Sequence, residues 1–204
     1  MRNSLTLTAV LLGASAVAFI STAPSSSAGS SAAAVAPVAT TYKVDLSHSN
    51  ILFKCKHLGV SYQWGRFDAF SGGFTLDEDV SKSKVSIKVD ATSVNSNNKD
   101  RDDHLRGPDF FDVKQFEHMT FESTKVVAKG DDVFSITGKL NLHGVEKEIS
   151  FDVTKVGEAA TRMGQRAGFE GHFVIDRMDF GIKTYPDTLG QDVTMHFAIE
   201  GIQG

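Results

Sequence analysis

One cysteine, Cys55, is all the thiol chemistry that 204 residues provide. An internal disulfide is excluded, so a folded domain must be held by burial and hydrogen bonding. Cys55 falls inside an alternating segment, where a buried structural thiol is expected rather than a nucleophile. Tyrosine and tryptophan are scarce too, three and one against 15 phenylalanines. The aromatic surface therefore has few polar tips, which suits a filled core or the wall of an oily cavity equally. A basic excess is also missing, with 21 Lys and Arg against 25 Asp and Glu. Nucleic acid is not expected as a partner, because neutralising phosphates needs a basic face.

Catalytic signatures are lacking as well. The chain has no Gly-x-Ser-x-Gly elbow and no glycine-rich phosphate loop. Asp179-Phe180-Gly181 matches a kinase triplet, but no other kinase element accompanies it. The seven histidines do not fall at metal-ligand spacing. No catalytic residue, metal ligand or cofactor is assigned, and an enzyme is not expected.

The first 41 residues have no acidic side chain and one basic one, Arg2, followed by an apolar run from Leu5 to Ile20. That order describes a secretory signal peptide over residues 1–28, with cleavage after Ala18 or Ala28. The apolar run is short for a membrane span, although a retained signal anchor is the competing reading. No cysteine lies near the cleavage region, which excludes a lipoprotein anchor. Residues 29–41, rich in Ser, Ala and Pro, read as a flexible leader. Residues 42–204 then form one domain, expected in the periplasm or outside the cell.

What is present along that domain is alternation. Ile51, Phe53, Cys55 and His57 share one face, against Lys54 and Lys56. Phe134, Ile136, Gly138, Leu140 and Leu142 share another, as do Phe169, Gly171, Phe173 and Ile175. About eight such segments occur, one apolar face each, joined mostly by short polar turns. His143-Gly144 reads as the turn of a tight hairpin. The pattern predicts an all-β fold, an antiparallel sandwich or closed barrel, with an interior able to be filled or to hold one small ligand.

One stretch, Asn95 to Thr124, breaks the alternation. Asn98 is a good N-cap, and Asp100, Asp102 and Asp103 favour the start of a short helix. Asp102 and Arg106 are spaced to pair on its surface. Gly107-Pro108 then ends it. Phe110, Phe111 and Phe116 follow and need an apolar place, so the segment reads as a lid over the lumen.

Several elements together resemble a known family. They are Tyr42-x-x-Asp45 with His48-Ser49, Phe53-x-x-x-His57-Leu58-Gly59, and Gly65-x-Phe67-x-x-Phe70-x-Gly72. Arg101-Asp102-x-His104-Leu105-Arg106-x-x-Asp109-Phe110 follows in the lid, then Thr120-Phe121-x-Ser123-Thr124 and Gly138-x-Leu140-x-Leu142-x-Gly144-Val145. Arg166-Ala167-Gly168-Phe169-Glu170 and Asp179-Phe180-x-Ile182-Lys183-Thr184 complete the series. In this order they resemble the YceI-like lipid/polyisoprenoid-binding proteins. The resemblance implies an extended lipocalin-like antiparallel β-barrel whose lumen holds a long isoprenoid, a quinone-like lipid or another amphiphile. The lumen and lid contacts expected on this basis are Phe53, His57, Phe110, Phe111, Phe121, Ile136, Phe173, Phe180 and Met195. Arg101, Arg106 and Arg177 are the head-group candidates, because arginine pairs bidentately with phosphate. A transient membrane contact and a homodimer are both compatible with this reading. The alternative is a metal-dependent or redox accessory enzyme acting on an isoprenoid or quinone, with His48 and His57 as the histidines to replace.

Overall fold

The computed structural model describes residues 39–204. The export signal expected over residues 1–28 and nearly all of the leader lie outside the described residues. Thr40 and Thr41, placed in that leader by the sequence reading, instead open the first strand. The chain runs β1 (Thr40–Val44), β2 (Asn50–His57), β3 (Ser61–Phe67), β4 (Phe70–Leu76), β5 (Lys84–Asp90), β6 (Val94–Asn95) and a helix, α1 (Lys99–Arg106). It continues through β7 (His118–Gly130), β8 (Val133–Leu142), β9 (Val145–Thr161), β10 (Gly164–Asp176) and β11 (Leu189–Gln203).

Eight of these strands close a ring in the order β1-β4-β5-β7-β8-β9-β10-β11, with β11 pairing back onto β1. The others are continuations past bends. β2 prolongs β1 beyond a 3-10 turn at Leu46–His48, β3 leads into β4 through Asp68 and Ala69, and β6 prolongs β5 beyond a turn at Ala91–Ser93. The whole is then an antiparallel up-and-down meander, the barrel that the family resemblance implies and one of the two architectures the alternation allows. β11 zips onto both halves of the first bent strand, Gly201 opposite Val44 and Met195 opposite Phe53.

The bends have local causes. Asp45 accepts a hydrogen bond from Ser47 N at 3.0 Å, and Asp90 from Thr92 N at 2.8 Å. An Asp two residues before Ser or Thr folds the backbone back on itself, which ends a straight strand. Ser93 stitches two bends together, its carbonyl accepting from Asp68 N and its hydroxyl from Ala69 N. The hairpin turns obey the same logic. His143 (φ 53°) and Gly144 (φ 74°) are both left-handed, as a two-residue turn between twisted strands requires.

One end of the barrel is plugged by aromatic packing. Tyr42 stacks on Phe74 at 4.9 Å, Phe74 meets Phe169 edge-on at 5.3 Å, and Ala167 is fully buried beside them. At the other end two long connections, residues 96–117 and 177–188, meet. Thr184 Oγ1 donates to the Asp109 carbonyl at 2.7 Å, which ties one to the other.

Candidate ligand-binding lumen

Two cavities lie end to end inside the barrel. The barrel chamber, about 180 Å³, is walled by side chains such as Ile87, Phe121, Ile136, Phe151 and Phe173. The lid chamber, about 460 Å³, lies under α1 and is walled by Phe53, Phe67, Leu105, Phe110 and Phe111. Met119, Leu142, Ile175 and Met195 belong to both walls and form a waist between them. Two of the four are methionines, whose unbranched side chains rearrange at little cost.

A phenylalanine-rich interior keeps a void because rings lie flat on glycines. Phe53 is paired across the strands with Gly65, and a Cβ built there would stand 2.3 Å from the ring. Gly171 makes the same room for Phe197, with the Asp152 carbonyl only 2.9 Å from a Cβ at that position. Each ring covers wall instead of projecting into the lumen.

The lid is roofed by apolar groups and fastened by polar ones. Asn98 caps α1, accepting from Arg101 N at 2.9 Å, as its sequence position predicts. Phe111 meets Phe67 edge-on at 5.6 Å, and Phe110 packs at 5.0 Å from the His104 ring. Asp102 does not pair with Arg106. It is buried and accepts from the backbone N–H and hydroxyl of Ser96, drawing the helix onto the strand end.

The three arginines divide. Arg101 faces the lid chamber, donating from Nε to Ser96 Oγ and from Nη2 to the Ser96 carbonyl, both at 2.7 Å, and from Nη1 to Gln63 Oε1 at 3.1 Å. Among the described residues it pairs with no carboxylate directly, and the nearest link to one runs through the Ser96 hydroxyl to Asp102. Arg106 is not a head-group residue by position. It is absent from the chamber lining and is taken up by the carbonyls of Thr92 and Val94, both at 2.8 Å, and by Asp103. Arg177 does line the lid chamber but is buried, with its five N–H groups directed at the carbonyls of Gly190, Ile182, Thr184, Leu189 and Tyr185 between 2.7 and 3.5 Å. It fastens the 177–188 connection, and only its charge is left to act on the chamber.

Two phenylalanines also depart from expectation. Phe180 is buried at the 3-10 turn after β10 and lines neither chamber, its carbonyl oxygen 3.1 Å from His143 Nδ1. Phe116 packs 4.6 Å from the His143 ring on the β8–β9 turn, likewise away from both linings. Of the other expected contacts, Phe53, His57, Phe110 and Phe111 border the lid chamber, Phe121, Ile136 and Phe173 the barrel chamber, and Met195 both. Gln63, Trp64, Ser96 and Tyr185 border the lid chamber and escape the sequence reading. Cys55 borders it as well, half-buried. Burial pushes its thiol pKa up, with the Arg177 charge opposing, so it stays protonated.

His48 and His57 do not converge. His57 lines the chamber, whereas His48 stands on the barrel exterior with Asp45, Glu200 and Arg166. The Arg166 Nη1 lies 2.9 Å from Asp45 and also bonds Glu200, so the guanidinium already bridges the carboxylates. The Ser47 hydroxyl, then His48 and Arg166, hold the Asp45 carboxyl well below the usual carboxylate range.

Fold and lumen together define a small β-barrel with an internal apolar cavity roofed at one end. The YceI-like domain model matches residues 42–201, and the chain belongs to that family. It is 41% identical over 169 residues to a UPF0312 protein of Vibrio parahaemolyticus, covering 81% of this chain and 88% of that protein. A crystal structure of the Campylobacter jejuni YceI protein is similar at a TM-score of 0.67 and 31% identity, over 73% of this chain and 90% of that one. A polyisoprenoid-binding domain from Saccharophagus degradans shares the fold at a TM-score of 0.63 and 17% identity, over 81% and 99%.

Proposed function

We propose that the chain is an exported binding protein that carries or sequesters a long-chain isoprenoid or similar amphiphile. The tail occupies the barrel chamber and the polar head the lid chamber. The observation that carries this reading is the division of the lumen. Both chambers are mainly apolar, but only the lid chamber has an arginine pair in its wall, Arg101 and Arg177, along with Gln63 and Ser96. Each methylene taken from water contributes about 0.8 kcal/mol. A tail of several isoprene units therefore needs no specific contact to bind firmly.

The head group needs such contacts. Arg101 keeps two of its five guanidinium N–H groups beyond its bonds to Ser96 and Gln63 for a phosphate, and Gln63, His57 and Tyr185 offer further polar partners. Arg177 contributes positive potential without a free N–H. The protonated Cys55 suits a wall better than a nucleophile, which favours binding over turnover. The lipid named for the S. degradans domain supports the ligand class, and the apolar N-terminal segment supports export.

The test is native purification, lipid extraction and mass spectrometry, followed by titration of stripped protein with an isoprenyl pyrophosphate, an isoprenoid quinone and a fatty amide. One equivalent of a long amphiphile is expected. Protein that is repeatedly empty and binds none of the three would sink the reading.

A further inference from the structure

The outward faces of β2 and β3 differ from the rest of the barrel wall. Tyr62 is 54% exposed and Trp64 49%, and the hairpin tip beyond them presents Leu58 at 57% and Val60 at 82%. The tip is held rigidly. Leu58 (φ 52°) and Gly59 (φ 73°) make the turn, Val60 N bonds back to the His57 carbonyl, and Leu58 N donates to the Thr188 carbonyl at 2.7 Å. That last bond fixes the tip beside Tyr185, itself 50% exposed, in the 177–188 connection. Five large side chains are thus displayed at one end of the molecule. Exposed apolar groups scattered singly need no explanation, but a contiguous set does.

Their setting identifies what they fit. Lys54 Nζ lies 5.2 Å from the centre of the Tyr62 ring and 5.4 Å from that of Trp64, and Lys56 Nζ lies 5.9 Å from Tyr62. Neither lysine is in an ion pair among the described residues, so both ammonium groups stand beside the rings with their charge free, on a chain of net charge −4. An apolar tip, a band of Tyr and Trp, and lysines beside them is the order of groups met on passing from acyl chains to headgroups. Trp64 and Tyr185 are also part of the lid-chamber wall, so patch and cavity rim are the same place.

We infer that the β2–β3 hairpin and Tyr185 form a docking face for a bilayer surface carrying anionic phospholipids. Leu58 and Val60 enter the interface, and Lys54 and Lys56 lie over the headgroups. Docking brings the lid chamber against the membrane, so an amphiphile passes between bilayer and lumen without crossing water. This use of the face rests on the carrier reading, whereas vesicle binding by it does not.

The chain has a single tryptophan, so its emission reports residue 64 alone. Full-length mature protein is sedimented with vesicles of phosphatidylglycerol and phosphatidylcholine, and with phosphatidylcholine alone. Binding to the anionic vesicles is expected, at least tenfold weaker without phosphatidylglycerol or at high salt. Trp64 emission should shift to the blue and be quenched by brominated acyl chains. V60D and the double variant K54E/K56E should each lower vesicle affinity at least tenfold. Both sites are on the exterior, so circular dichroism and isoprenoid binding in solution should stay as in the parent chain. Absence of sedimentation with anionic vesicles, or both variants binding like the parent, would overturn the inference. If isoprenoid binding survives that outcome, only the docking face is refuted. Loss of isoprenoid binding with vesicle binding intact would instead refute the carrier reading.

Discussion

At the scale of single residues, the arginines show what a sequence carries and what it hides. Arg101, Arg106 and Arg177 are equal candidates on paper because each is a phosphate-capable cation near a lid. Their partners separate them, and most of those partners are backbone carbonyls, which are the same at every position and leave no trace in the residue types. Arg101→Gln should weaken binding of an isoprenyl pyrophosphate by about 1.5–3 kcal/mol, the worth of a charge-assisted hydrogen bond. A neutral isoprenol of the same length should bind as before, and calorimetry of the two ligands side by side checks this. Arg106→Gln should lower the denaturation midpoint and leave pyrophosphate affinity per folded molecule unchanged. Asp45 makes a prediction about acid. Its folded carboxyl titrates below the unfolded value, so its contribution to stability is complete above the ordinary carboxylate pKa of 3.8 and is lost as pH falls through the folded value. Asp45→Asn should therefore narrow the stability difference between neutral and acid pH, measured by urea unfolding at a series of pH values.

At the scale of elements, the strands were legible because a half-buried strand must alternate, and a two-residue period survives without any knowledge of partners. The His143-Gly144 turn and the Asn98 cap were legible for the same reason, since each is decided by its own backbone. The bends at Leu46–His48 and Ala91–Ser93 are set by Asp45 and Asp90, but the alternation on either side masks that signal. The places of Phe116 and Phe180 are not legible in the sequence, because burial alone does not say which side of a turn a ring falls on. The glycines facing phenylalanines give a graded test. Gly65→Ala forces one flexible ring aside and should cost about 1–3 kcal/mol, the usual range for overpacking. It also drives Phe53 into the lid chamber, so ligand capacity should fall. Gly171→Ala meets the Asp152 carbonyl as well as a ring, and the backbone yields less readily. Its urea midpoint should drop further than that of Gly65→Ala.

At the scale of the molecule, the waist sets which ligands span both chambers. Met195 sits at that waist and faces both cavities. Met195→Phe replaces an adaptable side chain with a stiff one of similar bulk. A long polyprenyl ligand should lose affinity at least tenfold, while a short one that fits within the lid chamber should bind as well as to the parent. A titration series over increasing isoprene number checks it, and equal losses at all lengths would show that the two chambers do not act in line. None of this could be read from composition. Fifteen phenylalanines fit a solid core or a hollow one, and what decides between them is the pairing of rings with glycines across strands.

The closing seam has a kinetic side. β11 joins residues 189–203 to residues 42–57, so the two ends of the domain must meet before the ring exists. Contacts of such sequence separation are slow to form, because loop-closure entropy is lost before they return any stabilisation. A chain emerging from its N-terminus can lay down hairpins one after another but cannot close until the last fifteen residues of β11 are free.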